Sequence, residues 1–84
     1  MIRVLYFARL REQLGTSGET LPVPELPTCV ADIATTLRGR GGPWAAAFAQ
    51  DQALLAAVNQ ELARDETQVA DGDELAFFPP VTGG

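Results

Sequence analysis

The chain contains no histidine and no lysine, and its single cysteine is Cys29. Without histidine it lacks the commonest general base and metal ligand of proteins, so we expect no metal site. Without lysine it cannot form a Schiff base, and copies of the chain cannot be linked to one another through lysine side chains. One cysteine allows no internal disulfide, which is compatible with a reducing compartment. These absences argue against a self-contained active site.

The chain is also short and acidic. Its 84 residues, 46% of them hydrophobic, predict one globular domain near the lower size limit of a stable hydrophobic core. Six arginines against eleven acidic residues give a net charge of −5. This balance argues against nucleic acid and anionic membranes as partners and favours a protein with basic patches. A chain of this length has little room for a deep catalytic cleft, so a carrier, a subunit or a binding module is favoured over an enzyme that acts alone.

Long hydrophobic runs are missing as well. No apolar stretch is long enough to span a bilayer. Arg3, Arg9 and Arg11 interrupt the apolar N-terminal segment, which argues against a signal peptide. We therefore expect a soluble cytoplasmic protein.

The N-terminal segment Ile2–Arg9 is rich in β-branched and aromatic residues and predicts a first strand. Alternation along a strand predicts one face with Ile2, Val4, Tyr6 and Ala8, and another with Arg3, Leu5, Phe7 and Arg9. Because the face with two arginines should be the outer one, Phe7 is expected on or near the surface.

Helices and turns follow this strand. Leu10–Leu14 predicts a helical turn that ends at Gly15, and Gly18–Val23 predicts a second strand. The clearest helix is expected to begin with Thr28 as its N-cap and to end with Gly39 at C′. Its apolar residues repeat at helical spacing: Val30, Ile33, Ala34 and Leu37.

The second half of the chain is harder to interpret. Gly39–Pro43 predicts a loop, and propensity alone predicts one long helix over Trp44–Ala63. Asp71–Asp73 is typical of a turn, and Glu74–Phe78 predicts a last strand with Leu75 and Phe77 on one face and Ala76 and Phe78 on the other. The element order favours an α+β fold, a ubiquitin-like β-grasp with a mixed sheet of about four to five strands packed on one main helix.

The C-terminus is the most informative segment. We expect a domain over residues 1–78 and an extended tail over residues 79–84, Pro-Pro-Val-Thr-Gly-Gly. Pro79 and Pro80 stiffen the tail, which can reach roughly 20 Å when extended. Gly83 and Gly84 carry no side chain that would block entry into a narrow channel. Adenylation by ATP would turn the terminal carboxylate into an electrophile, which a sulfur nucleophile converts to a thiocarboxylate and an amine converts to an amide.

Three stretches, Val4–Glu12, Leu54–Gln60 and Asp71–Gly84, closely resemble the small sulfur-carrier subunits of molybdopterin synthase, the MoaD family. The resemblance implies a β-grasp fold without a bound cofactor. It implies that an ATP-consuming activating enzyme adenylates Gly84, and that a cysteine desulfurase route supplies sulfur for a thiocarboxylate. It also implies that the tail enters the large synthase subunit, in a heterotetramer of two small and two large chains. There the tail donates sulfur to cyclic pyranopterin monophosphate, so the chain is not catalytic alone.

The resemblance also implies roles for individual residues. Phe7, Leu62 and Phe78 are expected to form an apolar patch that docks on the synthase and on the activating enzyme. Tail residues in contact with the partners are Pro79, Pro80, Val81 and Thr82, while Gly83 gives access to the reactive Gly84. Arg11, with Asp71, Asp73 and Glu74, could make charged contacts with the activating enzyme, although solvated surface charge explains each of them as well.

Two further expectations come from the resemblance. Leu54–Val58 should be a strand instead of part of a long helix, with the following turn beginning at Asn59 and Gln60. Cys29 should be a small residue at the helix start, because the family carries its sulfur on the C-terminus.

Three alternatives to a synthase subunit remain open. A sulfur carrier for thiamine thiazole synthesis would share the fold and the chemistry but does not resemble the Phe78–Thr82 segment. A ubiquitin-like modifier would attach Gly84 to lysines of other proteins. An interaction domain with a disordered tail would remain fully active without Gly83 and Gly84.

Overall fold

The computed structural model describes residues 1–49 and 53–80 of the chain. Its elements are β1 (Ile2–Tyr6), α1 (Ala8–Leu14), β2 (Gly18–Leu21), β3 (Thr28–Cys29), α2 (Val30–Arg38), α3 (Gly42–Ala47), β4 (Leu55–Val58), β5 (Glu61–Ala63), β6 (Gln68–Val69) and β7 (Glu74–Phe78). None of the helices within these residues is long and apolar enough to cross a membrane.

A five-stranded sheet organises the fold, with the strand order β2-β1-β7-β4-β5. The two central strands β1 and β7 run parallel, and every other neighbouring pair in this sheet is antiparallel. The two-residue strands β3 and β6 form a separate antiparallel pair. A mixed sheet packed on the helix α2 confirms the predicted α+β architecture.

The core lies between the sheet and the helices. Alternate residues of β1 and β7 face it, and all three helices contribute to it. The core includes Ile2, Val4, Tyr6, Leu10, Val30, Ile33, Leu37, Ala47, Phe48, Ala56, Leu75 and Phe77. We call the side of the sheet that faces these helices the inner face.

An ion pair closes the core at the β2 edge. The Arg40 guanidinium donates hydrogen bonds of 2.8 and 2.6 Å to the two carboxylate oxygens of Glu19. The hydroxyl of Tyr6 donates to the same carboxylate at 2.9 Å, and the Arg40 guanidinium lies 4.4 Å from the centre of the Trp44 ring. Hydrogen bonds from Arg40 hold the pKa of Glu19 below its usual value, while burial raises the pKa of Tyr6. Sequence reasoning predicted none of these contacts.

The first predicted strand was too long. It ends at Tyr6, because Ala8 takes a left-handed conformation (φ 55°) that redirects the chain into α1. Ala8 is therefore exposed instead of sharing the inner face, and Arg9 belongs to a helix. The redirection brings Leu10 into the core. The predicted helix end at Gly15 is confirmed, whereas β2 stops at Leu21, two residues before the predicted end.

The predicted caps of α2 were wrong. Thr28 lies in β3, and Cys29 occupies the N-cap position. The first free N–H groups of α2 donate to backbone carbonyl oxygens of Thr67 and Asp65, so they need no side-chain cap. Gly39 is the C-cap residue and not the C′ residue, and its backbone is right-handed, whereas a C′ glycine is usually left-handed.

The long helix predicted over Trp44–Ala63 is also wrong. Helix α3 begins at Gly42, inside the predicted loop, and ends at Ala47. The strand expected over Leu54–Val58 from the resemblance is present as β4, which begins one residue later. Asn59 and Gln60, with φ of 50° and 70°, make the turn into β5. Pairing with β7 therefore overrides the helical propensity of the alanines in this segment.

Candidate functional site

The outer face of the sheet, opposite the helices, is apolar across four strands. Leu5 of β1 lies beside Ala76 of β7, which pairs with Ala57 of β4, which in turn pairs with Leu62 of β5. Neighbouring strands are about 4.8 Å apart, so this row is about 14 Å wide.

A second apolar row lies nearer the end of the sheet from which the tail leaves. Leu55 of β4 pairs with Phe78 of β7. Phe7 extends β1 by one residue in extended conformation and donates its backbone N–H to the carbonyl oxygen of Phe77. This register places Phe7 next to Phe78. Together the two rows form the outer patch, which consists of Leu5, Phe7, Leu55, Ala57, Leu62, Ala76 and Phe78.

The outer patch exposes large apolar side chains. Leu62 is 74% exposed, Phe7 is 46% exposed and Leu55 is 38% exposed, and the side chain of Phe78 is half-buried. The structure therefore places Phe7, Leu62 and Phe78 on one face, and the docking role that the resemblance implies for them stays a prediction. Leu55 was missed as a site residue. Strand alternation from Ala57 would have identified it once the strand had replaced the predicted helix.

A close approach at the β2 edge holds Leu5 in the outer patch. Gly18 lies opposite Leu5 in the β1–β2 register. A Cβ at Gly18 would lie 2.9 Å from Cδ2 of Leu5 and 2.8 Å from the carbonyl oxygen of Val4. The half-buried Leu5 side chain thus lies over Gly18, and any larger residue at position 18 would displace the Leu5 side chain.

The tail leaves the sheet directly beside the outer patch. Strand β7 ends at Phe78, and the next residue, Pro79, is half-buried while Pro80 is exposed. Pro79 also lines a groove with Arg9, Leu10, Glu12 and Gln13 of α1, Ala47 of α3, and Leu54. The other predicted tail residues, Val81, Thr82, Gly83 and Gly84, lie outside the described residues.

The predicted charged contacts lie at opposite ends of the sheet. Arg11 is exposed on α1, which begins where β1 ends, near the exit of the tail. Asp71 and Asp73 lie in the turn before β7, at the other end, where Asp71 pairs with the N-terminal ammonium group of Met1. Backbone and side-chain hydrogen bonds, from Ala70 and then Asn59, hold the pKa of Asp73 below its usual range. The four charged residues therefore do not form one cluster.

Cys29 is half-buried in the N-cap position of α2 and makes no side-chain capping hydrogen bond. Within residues 1–49 and 53–80, no group of three or more histidine, cysteine, aspartate or glutamate side chains is arranged to hold a metal ion. The exposed apolar side chains of the outer patch, beside the exit of the tail, favour a surface that binds a partner.

Comparison with known proteins supports this interpretation. A family model described as the ThiS family matches residues 4–84. The "Molybdopterin synthase sulfur carrier subunit" of Escherichia coli strain K12 is 46% identical over 84 residues, the whole of both chains. The protein of the same name from Haemophilus influenzae is 43% identical over the same span. The crystal structure of SAMP1 from Haloferax volcanii is 28% identical, with a TM-score of 0.77 over 99% of this chain and 98% of that one. The predicted β-grasp fold and the family resemblance are both confirmed.

Proposed function

The chain belongs to the ThiS family, and we propose on that premise that it is the sulfur carrier subunit of a molybdopterin synthase. One structural observation carries the proposal: the outer patch extends to the end of β7, where the tail begins. A partner that binds the patch is therefore positioned to receive the tail. The full-length identity of 46% to a relative of that name supports the same assignment.

The proposed chemistry takes place at Gly84. A carboxylate oxygen of Gly84 attacks the α-phosphorus of ATP and displaces pyrophosphate, which leaves an acyl adenylate. A persulfide from a cysteine desulfurase route adds through its terminal sulfur to the carbonyl carbon and expels AMP, which leaves an acyl disulfide. A thiol then attacks the outer sulfur of that disulfide, which releases the thiocarboxylate of Gly84 and forms a new disulfide.

The thiocarboxylate sulfur then forms a bond to a carbon of cyclic pyranopterin monophosphate, which loses an oxygen substituent there. Water hydrolyses the acyl–sulfur bond, so that the sulfur stays on the pterin and Gly84 returns as a carboxylate. ATP is a substrate of the activating enzyme in this scheme, and the carrier itself holds sulfur only as a covalent group.

The partners would divide the remaining work. The large synthase subunit would supply the substrate pocket and the acid-base groups, since this chain has no histidine or lysine. The outer patch would bind the activating enzyme and the large subunit one after the other, because both use the same surface. Arg11 is close enough to the exit of the tail to contribute a charged contact to the activating enzyme.

A reconstituted reaction tests this proposal. Thiocarboxylated full-length chain, mixed with the large synthase subunit and cyclic pyranopterin monophosphate, should yield molybdopterin. A variant with one alanine added after Gly84 should yield none, because its carboxyl group is then an amide carbonyl within a peptide bond. The matched control is the same variant after enzymatic removal of the alanine, which should regain activity. Full activity of the untrimmed variant would contradict the mechanism.

A protein modifier is the second candidate, because a solved small archaeal modifier protein shares this fold. In that case an amine would attack the same acyl adenylate and form an isopeptide bond. Mass spectrometry of the chain from cells separates the two functions. Exchange of one terminal oxygen for sulfur on the free chain supports the carrier, whereas Gly84 linked to lysines of other proteins supports the modifier.

A further inference from the structure

The two prolines at the start of the tail differ in their surroundings, although they are adjacent and chemically identical. Pro79 is half-buried and Pro80 is exposed. Residues alternate in direction along an extended chain, so Pro79 follows the outer-facing Phe78 and faces the side of the helices. There it lines what we call the tail groove, together with Leu10, Ala47 and Leu54 and with polar residues of α1, namely Arg9, Glu12 and Gln13.

The floor of the tail groove is part of the rigid core. Leu10 of α1 and Ala47 of α3 are both buried in the core, and Leu54 packs against it. Pro79 is half-buried in the wall of the groove beside these side chains. Its ring also fixes φ and restricts the preceding Phe78 to extended backbone. Pro80 stiffens the chain in the same way, but it is exposed and does not line the groove.

We propose that Pro79 is a positioning residue, which fixes the origin and direction of the tail because its half-buried ring forms part of the wall of the tail groove, while Pro80 acts only as a spacer. This inference rests on the proposed function, because it concerns the placement of the group on Gly84. The tail beyond Pro79 then begins at a fixed point. A misplacement of the reacting group by about 1 Å can cost up to about 100-fold in rate.

Matched substitutions of the two prolines test the inference. Pro79→Gly and Pro80→Gly remove the same ring and free one φ angle each, but only the first removes a side chain from the wall of the groove. In single-turnover sulfur transfer at saturating large subunit, Pro79→Gly should lower the rate about tenfold and Pro80→Gly about threefold. The Kd for the large subunit should change by the same factor in both variants, because both prolines are tail residues expected to contact the partner. Pro79→Val, whose branched side chain replaces the ring in the wall of the groove and favours extended backbone, should recover most of the lost rate.

Equal losses of rate in the two glycine variants would overturn the inference. So would a raised Kd with an unchanged rate, which would make Pro79 a partner contact only. A spectroscopic readout on the free full-length chain is independent of sulfur transfer: methyl chemical shifts of Leu10 and Leu54 should change in Pro79→Gly and not in Pro80→Gly. If the wild-type chain transferred no sulfur, the proposed function would fail, while these shifts would still decide whether Pro79 is held in the groove.

Discussion

The two faces of the sheet are both apolar, yet only one of them is covered by the helices. Phe77 and Phe78 are consecutive residues of β7 and illustrate the difference. Phe77 is 3% exposed on the inner face, where its ring meets that of Phe48 edge-on at a centroid distance of 5.0 Å. Phe78 lies on the outer face beside the exposed Phe7 and Leu55. The inner face stabilises the chain, and the outer face is available to a partner.

This difference explains why an acidic chain of 84 residues retains a hydrophobic surface. Exposed apolar patches of this kind are typical of protein interfaces. Burial of the outer patch in a complex would remove its cost in solubility and contribute to affinity. The division also predicts that mutations on the two faces have different consequences, although they alter alternate residues of the same strands.

The largest expected effect is the loss of an inner-face aromatic ring. Phe77→Ala should lower the free energy of unfolding by about 3–5 kcal/mol, because it leaves a cavity beside Phe48. The matched variant Phe78→Ala should cost less than about half as much, since Phe78 is only partly buried. Urea unfolding followed by circular dichroism measures both values. Similar losses for the two variants would show that the faces do not differ in the way proposed.

Sequence reasoning predicted the strands at the centre of this comparison. Most of β1 is β-branched or aromatic, and Glu74–Phe78 follows a turn signal and ends in two aromatic residues; the structure has a strand at both places. The site residues Phe7, Leu62 and Phe78 came from the family resemblance, and β-strand alternation supported Phe7 and Phe78. The strands that met expectation lie where local pattern and tertiary environment agree, whereas the docking role of these three residues stays a prediction.

The errors lie where distant contacts determine the backbone. Alanines at positions 56 and 57 favour a helix locally, but hydrogen bonding to β7 makes them part of the strand β4. The strands β3 and β6 are two residues each, too short to leave a periodic pattern. The Glu19–Arg40 pair joins residues 21 positions apart, so no local motif indicates it.

The next effect concerns binding and sharpens the comparison from the outer side. Leu62→Ala should weaken binding to the large synthase subunit by about 1 kcal/mol or more, at least about fivefold in Kd, because the side chain is 74% exposed in the free chain and available to anchor a partner. Its free energy of unfolding should change by less than about 0.5 kcal/mol. Glu61→Ala, the exposed neighbour on β5, is the control and should leave Kd unchanged. Isothermal titration calorimetry gives both values, and an unaltered Kd in Leu62→Ala would remove β5 from the interface.

The smallest expected effect concerns the ion pair that closes the inner face at the β2 edge. Because the folded-state pKa of Glu19 is lowered by hydrogen bonds from Arg40 and then Tyr6, the unfolded state takes up this proton more readily than the folded state. The pair therefore stabilises the fold fully above the ordinary glutamate pKa of 4.5 and loses its contribution as the pH falls through the lowered pKa. Glu19→Gln should cost about 1 kcal/mol at pH 7, since both side chains are partly exposed.

The difference in unfolding free energy between wild type and Glu19→Gln should shrink steadily below pH 4.5. Chemical unfolding at a series of pH values measures this difference. Glu25→Gln, at an exposed position in the loop between β2 and β3, serves as the control for the removal of one surface carboxylate. Binding through the outer patch should be unaffected by either variant, because Glu19 lies opposite Val4 in the register and faces the helices. If the difference in unfolding free energy between wild type and Glu19→Gln grew on acidification, the ion pair would not stabilise the fold in the way described. A change in the Kd for the large subunit would mean that the inner and outer faces are energetically coupled.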